Sequence, residues 1–181
     1  AFYFRDPDGN TLELIHFPAD KGDPRWQEPS DQLFLGIDHT AIAISDTETS
    51  RQFYQDLLGL EVAGESENYG TEQEHLNNVK GARLRITGLK ADTGMGVEFL
   101  EYLQPDNARP LPKGTKPKDL IHWEKTLVVK DEDFAAEKLR QEAYQIVYYA
   151  VAEISETTLS FKRAFMVRDP DGHVLRIVEQ R

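Results

Sequence analysis

A five-residue run, Arg-Asp-Pro-Asp-Gly, occurs twice in the chain, at 5–9 and at 168–172, and it constrains the fold more than any other feature. The flanks match as well. AFYFRDPDGNTLELIHFP (1–18) and AFMVRDPDGHVLRIVEQR (164–181) share eight of eighteen positions at a fixed offset of 163 residues. Self-similarity of this kind signals an internal structural repeat. Each copy reads as a turn, in which Pro presets φ and Gly accepts a positive φ, followed by an alternating strand. The second copy closes its unit at the C-terminus. The first is therefore expected to close a unit whose beginning lies outside the sequence, and Ala1 without an initiator Met fits that expectation. The competing expectation is that strand 10–17 simply adds to the sheet of the domain that follows.

Composition narrows the function classes. The chain carries 21 Lys+Arg against 32 Asp+Glu, a net charge of −11, and phosphate backbones repel such a surface, so nucleic acid is not an expected partner. No stretch approaches the roughly 18 consecutive apolar residues of a membrane span. Cysteine is absent, which removes disulfides, thiolate catalysis and Cys-ligated metals together. Any metal must sit on His, Asp or Glu. No secretory leader is visible, and a cytoplasmic location is the expectation.

Breaker-rich stretches divide the chain. Residues 1–18 read as the closing strand of a preceding module and 19–32 as an Asp/Pro/Gly linker. Residues 33–103 form one module, 104–119 a Pro-rich linker, and 120–181 a second module. In the first module GIDHTAIAIS (36–45) is a strand, and Asp46 caps a helix that runs to Leu58 and stops at Gly59. Phe53, Tyr54, Leu57 and Leu58 form its apolar stripe. A strand at 60–65, a short helix with a Thr71-x-x-Glu74 capping box, and strands at 82–89 and 96–103 follow. In the second module IHWEKTLVVK (121–130) is a strand and 131–144 a helix, with strands at 146–152, 160–167 and 173–179. The order is βαβββ, twice, which predicts an α+β fold with a mixed sheet.

DHTAIAISDTETSRQFYQDLLGLEV resembles the opening strand and helix of a vicinal-oxygen-chelate module. The two RDPDG strands resemble the closing strand of the same module. This superfamily includes glyoxalase I, methylmalonyl-CoA epimerase, extradiol ring-cleaving dioxygenases and bleomycin resistance proteins. The resemblance implies tandem modules that form a barrel-like mixed sheet around one pocket, with a divalent metal at its base. It also implies one ligand from the first strand and one from the last strand of each module. His39 occupies the first-strand position, and Glu98 in GVEFLEYL matches the last-strand position, with Glu101 as its rival. Aligning Asp131 with Asp46 and counting back seven gives Glu124, and His122 on the same strand face could substitute. On the closing strand the ligand falls four residues after the turn glycine. That residue is Glu13 in the first copy and Arg176, a cation that cannot ligate a metal, in the second. Glu13 thus reads as an intact ligand whose partner strand is expected in the preceding module.

A set of hard oxygens with one imidazole suits Zn, Ni, Mn, Fe or Mg without choosing among them. His39 shares its face with Ile37, Ala41 and Ala43, small enough to leave room for a pocket. Glu98 shares a face with Leu100 and Tyr102, and a buried carboxylate there must be paired, metal-bound or on a wet rim. Arg176 has two alternatives to an empty position: an ion pair with Glu124, or a contact with an anionic substrate group. One of Tyr148 and Tyr149, which face opposite ways on a strand, lines the pocket. The implied activity is that of a glyoxalase-like, metal-dependent lyase or isomerase on a small substrate with vicinal oxygens. Glu98 or Glu124 would act as the general base that removes a proton alpha to a carbonyl, toward an enediolate. A ring-cleaving dioxygenase and a non-catalytic drug-binding protein of the same fold are the alternatives. Arg176 opposes the former and favours the latter. A homodimer is a further expectation, since the superfamily pairs modules both within and between chains.

Overall fold

The computed structural model describes residues 1–147, 152–153 and 161–180. The expected pocket tyrosines Tyr148 and Tyr149, and most of the strand expected at 146–152, lie outside these residues. Two compact units emerge, the first comprising Ala1–Ala43 and Val62–Asn107, the second Ile44–Glu61 and Ala108–Arg181. The helix that follows the first module's opening strand therefore groups with the C-terminal unit.

In the first unit, strands β1 (Phe2–Arg5) and β2 (Thr11–Leu14) form an antiparallel hairpin, a two-stranded sheet of its own. Strand 10–17 thus pairs back on residues 2–5, and the sheet that follows contains neither strand. That sheet has the order β3-β6-β5-β4, with β3 at His39–Ile44, β4 at Glu61–Tyr69, β5 at Arg83–Lys90 and β6 at Gly96–Gln104. Alternation sorts its faces. Ile42, Leu84, Val97 and Phe99 are buried, while His39, Glu98, Leu100 and Tyr102 lie on the less buried face with Ala41 and Ala43. Helix α2 (Thr71–Asn77) lies between β4 and β5. Gly70, not Thr71, is its N-cap, and Glu74 donates its backbone N–H to the Gly70 carbonyl. The expected capping box is therefore not made, because Thr71 already has helical backbone and its side chain is one position too late to cap.

In the second unit, β7 (Glu124–Val129), β8 (Ala152–Glu153), β9 (Phe161–Arg168) and β10 (Val174–Gln180) form a sheet of order β7-β10-β9-β8. The β7–β10 pair is parallel and β9–β10 antiparallel, so this sheet is mixed. Helix α3 (Glu132–Gln141) packs on β9 and β10, with Asp131 as its N-cap accepting the Phe134 N–H. Helix α1 (Thr47–Arg51) widens into a π-helical stretch over Gln52–Leu57, and the Asp46 carboxylate caps its start through the Thr49 N–H at 2.7 Å. Phe53 and Tyr54 are buried, and Phe53 meets Tyr144 edge-on. The α+β class and the doubled βαβββ order are those read from the sequence, and both four-stranded sheets repeat the strand order 1-4-3-2. The described strands form open sheets, none closed into a barrel.

The repeat survives at atomic detail. In both turns an aspartate side chain accepts the backbone N–H of the residue four positions on, Asn10 to Asp6 and His173 to Asp169, each at 2.8 Å. In both, an arginine donates to the turn glycine's carbonyl, Arg5 to Gly9 at 2.8 Å and Arg168 to Gly172 at 2.7 Å. The glycines hold φ of 96° and 93°, which a side chain would strain.

Candidate metal and substrate site

Within the first unit, the opening of β3 and the opening of β6 are drawn together at Gly96. Its N–H donates to the Asp38 carbonyl at 2.9 Å, and a Cβ at Gly96 would stand 3.2 Å from the His39 Cβ and 3.2 Å from the Leu89 carbonyl oxygen. A glycine there lets the two strands approach, and two residues along β6 the same face presents Glu98. His39 Nε2 lies 3.7 Å from Glu98 Oε1. His39 Nδ1 lies 2.8 Å from Asp38 Oδ2, and the other Asp38 oxygen accepts the Trp26 indole N–H at 2.5 Å. A carboxylate on Nδ1 is the second-shell arrangement that orients a ligating imidazole.

Glu13 comes to this place from the hairpin. It is half-buried, within electrostatic range of His39 and Glu98, and opposite Tyr3 in the hairpin register. Burial raises the pKa of Glu13, with His39 and the N-terminal amine opposing. Burial likewise raises Glu98; His39 opposes it, while Glu13 and Asp38 push in the same direction as burial. Tyr3 is raised by burial and by the charges of Glu13 and Glu98. Glu13, expected to serve a strand outside the sequence, thus lies within reach of His39 and Glu98. Glu101, the rival of Glu98 for the last-strand position, falls on the opposite face of β6 by alternation.

Within the second unit, Glu124 and Arg176 are hydrogen-bonded to each other across the β7–β10 pair. His122 precedes β7 and lines a small recess with Leu111, Trp123, Arg168 and His173. Asp169 is buried and accepts from the Tyr54 hydroxyl at 2.9 Å, the His173 and Asp171 backbone N–H groups and His173 Nδ1. The Asp-Pro-Asp-Gly turn is thereby tied to the first helix.

The donor chemistry of His39 and Glu98 fits a divalent metal. An ion with bonds of about 2.0–2.2 Å in tetrahedral array holds its N and O donors about 3.4 Å apart. A cation would also relieve the desolvation and mutual repulsion of Glu13 and Glu98. Among the described residues, no three or more His, Asp and Glu side chains are gathered closely enough to hold an ion as they stand. Trp26, Asp38 and Tyr3 are the residues that motif reading passes over. The Asp-His dipeptide and a tryptophan in an otherwise polar linker were the available signals.

A doubled βαβββ unit whose two sheets share one strand order defines an architecture of the vicinal-oxygen-chelate class. The family model for the Glyoxalase/Bleomycin resistance protein/Dioxygenase superfamily matches residues 36–177, and the chain belongs to that superfamily. Among solved structures, a glyoxalase family protein from Bacillus cereus is similar at 16% identity and a TM-score of 0.68, covering 84% of this chain and 99% of its own. Glyoxalase I from Leishmania major, described as trypanothione-dependent, has 17% identity, a TM-score of 0.52, and coverage of 80% and 86%. An antibiotic-binding protein from a Streptomyces species has 15% identity, a TM-score of 0.51, and coverage of 83% and 99%. At such identities the likeness concerns the fold alone. No curated protein matches the sequence. Among the described residues no helix is long and apolar enough to cross a membrane.

Proposed function

We propose that the chain is a metal-dependent lyase or isomerase acting on a small substrate with vicinal oxygens. His39 and Glu98 are the primary ligands, and Glu13 is a further carboxylate donor. The observation that carries this reading is the Asp38–His39–Glu98 alignment: an imidazole fixed by one carboxylate and aimed at another that is half-buried. A divalent ion held there supplies Lewis-acid polarisation of substrate oxygens. The chain's own contribution is proton handling. Glu98 would act as the general base only when displaced from the ion, and burial raises its pKa above that of a solvated glutamate, in the direction a base working near neutrality needs. Asp38 keeps the imidazole in one tautomer and orientation. Glu124, the other candidate base, would first have to leave Arg176.

The test pairs metal content with proton exchange. Elemental analysis of the purified chain after equilibration with Zn, Ni, Mn, Fe(II) or Mg, followed by desalting, is expected to give stoichiometric retention of at least one ion. His39→Ala abolishes that retention while the circular dichroism spectrum is kept. Solvent deuterium incorporation alpha to a carbonyl, across a panel of α-hydroxyketones and hemithioacetals, reports the reaction class. Retention unchanged in His39→Ala would sink the assignment.

A second reading has its own observation. The Glu124–Arg176 pair supports a non-catalytic binding role, because the second copy's ligand position is filled by a cation of the chain itself. That reading expects a small-molecule affinity indifferent to chelators and weakened in Arg176→Met. A ring-cleaving activity would instead consume oxygen with a catechol.

A further inference from the structure

Beyond Glu98, the same face of β6 carries Leu100 and then Tyr102, and Gly88 and Ile86 of β5 stand opposite Glu98 and Leu100 in the register. The face is thus polar at both ends and apolar between them. Four strand positions at roughly 3.3 Å each put about 13 Å between the Glu98 and Tyr102 backbones. Helix α2 reaches the far end. Asn77, its last residue, donates a carboxamide N–H to the Tyr102 hydroxyl oxygen at 2.7 Å. Gln73, buried one turn earlier, holds that carboxamide the right way round, because its own side-chain N–H donates to the Asn77 oxygen. Tyr102 therefore accepts from α2 and keeps its own proton to give. Among the described residues no group accepts that proton. Burial raises the ionisation of Tyr102, with the Asn77 bond opposing, so the phenol is a protonated donor at neutral pH. Tyr3, from the hairpin, lies within electrostatic range of Tyr102 and of Glu13 and Glu98, and the charges that reach it are those two carboxylates.

We propose that Tyr102 is a substrate-binding donor that sets specificity: with the vicinal oxygens held beside His39 and Glu98, its hydroxyl binds an uncharged acceptor, an amide or ester carbonyl oxygen, at the far end of the substrate. Asn77 and Gln73 are positioning residues that aim this donor. Because the near end of the substrate is placed by the metal site proposed above, the role of Tyr102 rests on that assignment. Three features define the class. The stretch between the polar ends, Leu100 beside Ile86, suits a short hydrocarbon spacer. A phenol proton without a protein acceptor suits a carbonyl oxygen. The carboxylates of Glu13 and Glu98 disfavour an anionic tail.

The test titrates hydroxamates, which chelate a divalent ion through two adjacent oxygens, into the zinc- or nickel-loaded full chain by calorimetry. Acetohydroxamate reports the near end alone. A homologous series bearing an acetamide at the end of an alkyl spacer, each paired with a hydrocarbon-tailed match of equal length, reports the far end. At the best length the acetamide probe is expected to bind about fivefold tighter than its match. Tyr102→Phe should abolish that preference and leave acetohydroxamate affinity unchanged. Asn77→Asp should abolish it too, since the new carboxylate draws the Tyr102 proton toward α2. A purely structural bond would survive Asn77→Asp with donor and acceptor exchanged, and the preference would persist. That persistence overturns the inference, as does a preference that survives Tyr102→Phe. Binding of acetohydroxamate with no preference at any spacer length overturns it while leaving the metal site standing. No binding of acetohydroxamate to the metal-loaded chain, or no metal retained, overturns the metal site and the role of Tyr102 with it.

Discussion

Removing one oxygen atom, in Tyr54→Phe, isolates the bond that ties the first helix to the C-terminal turn. The hydroxyl is buried and donates to Asp169 Oδ2 at 2.9 Å. Hydrogen bonds to a charged acceptor contribute about 1.5–3 kcal/mol net. Asp169 keeps its backbone donors at Asp171 and His173 and the His173 ring, so the loss belongs near the low end, about 1.5–2 kcal/mol. For a chain of this size that corresponds to a fall in Tm of about 3–8 °C. The pH dependence is a sharper check. Burial, then the charge and hydrogen bond of Asp169, push the Tyr54 ionisation well above the usual tyrosine range. The folded state thus holds this proton more tightly than the unfolded state does. Its contribution is whole below about pH 10 and shrinks as pH rises through and beyond that value. Urea denaturation followed by tryptophan fluorescence should show the variant's deficit at pH 7.5 and a narrower gap at pH 11. Equal midpoints at pH 7.5, or a gap that does not change at pH 11, refute the assignment.

Glu98→Gln should be more stable than the parent at pH 7 and equal to it near pH 4. The folded-state pKa of Glu98 is raised by burial first, so ionising it costs stability as pH rises through that value; thermal melts at the two pH values decide this. Asp38→Asn removes the carboxylate on His39 Nδ1 and should weaken divalent-metal affinity by about 10–100-fold in calorimetric titration, with an unchanged affinity refuting the orienting role. The stability of the parent relative to Lys125→Met should rise between about pH 8 and pH 10. Burial depresses the Lys125 pKa to about 8, so the parent regains stability as pH rises from there to the unfolded value; denaturant midpoints across pH 7–10 test it.

The repeat made the α+β class and the doubled βαβββ order legible, because Arg-Asp-Pro-Asp-Gly encodes a turn whose hydrogen bonds are nearly all local. The same locality explains the correct helix starts at Asp46 and Asp131, each capped three residues on. What the sequence could not reveal depends on long-range contact. The 19–32 stretch reads as linker, yet Pro24–Gln27 forms a 3-10 turn whose Trp26 reaches Asp38. Turn composition carries no information about a partner twelve residues away. Glu13 was readable as a ligand by its spacing from Gly9, but its nearness to His39 and Glu98 arises from how the hairpin folds back. The grouping of the first helix with the second unit likewise follows from Tyr54 and Phe53 finding Asp169 and Tyr144, contacts no local pattern announces.

The two copies of the repeat diverge at one slot, and the difference bears on the proposed metal site. Glu13 and Arg176 occupy the same slot of the repeat, four residues beyond the turn glycine. In the first unit that slot adds a carboxylate to a face that already holds Glu98 and Asp38 around one imidazole. In the second it supplies a guanidinium that neutralises Glu124. One unit has built its counter-ion into the chain, while the other concentrates negative charge at a partly desolvated place, which is costly unless a cation answers it. Glu13→Arg should give the first copy the chemistry of the second. A guanidinium near Glu98 replaces a repelling charge with an attracting one, so the Glu98 carboxyl should titrate lower than in the parent, readable from its 13Cδ shift by NMR. On the proposed assignment divalent-metal retention should fall in the same variant, since a carboxylate is lost and the guanidinium opposes a second cation. A Glu98 titration that stays where it was, with metal retention intact, would mean that Glu13 does not take part in this site.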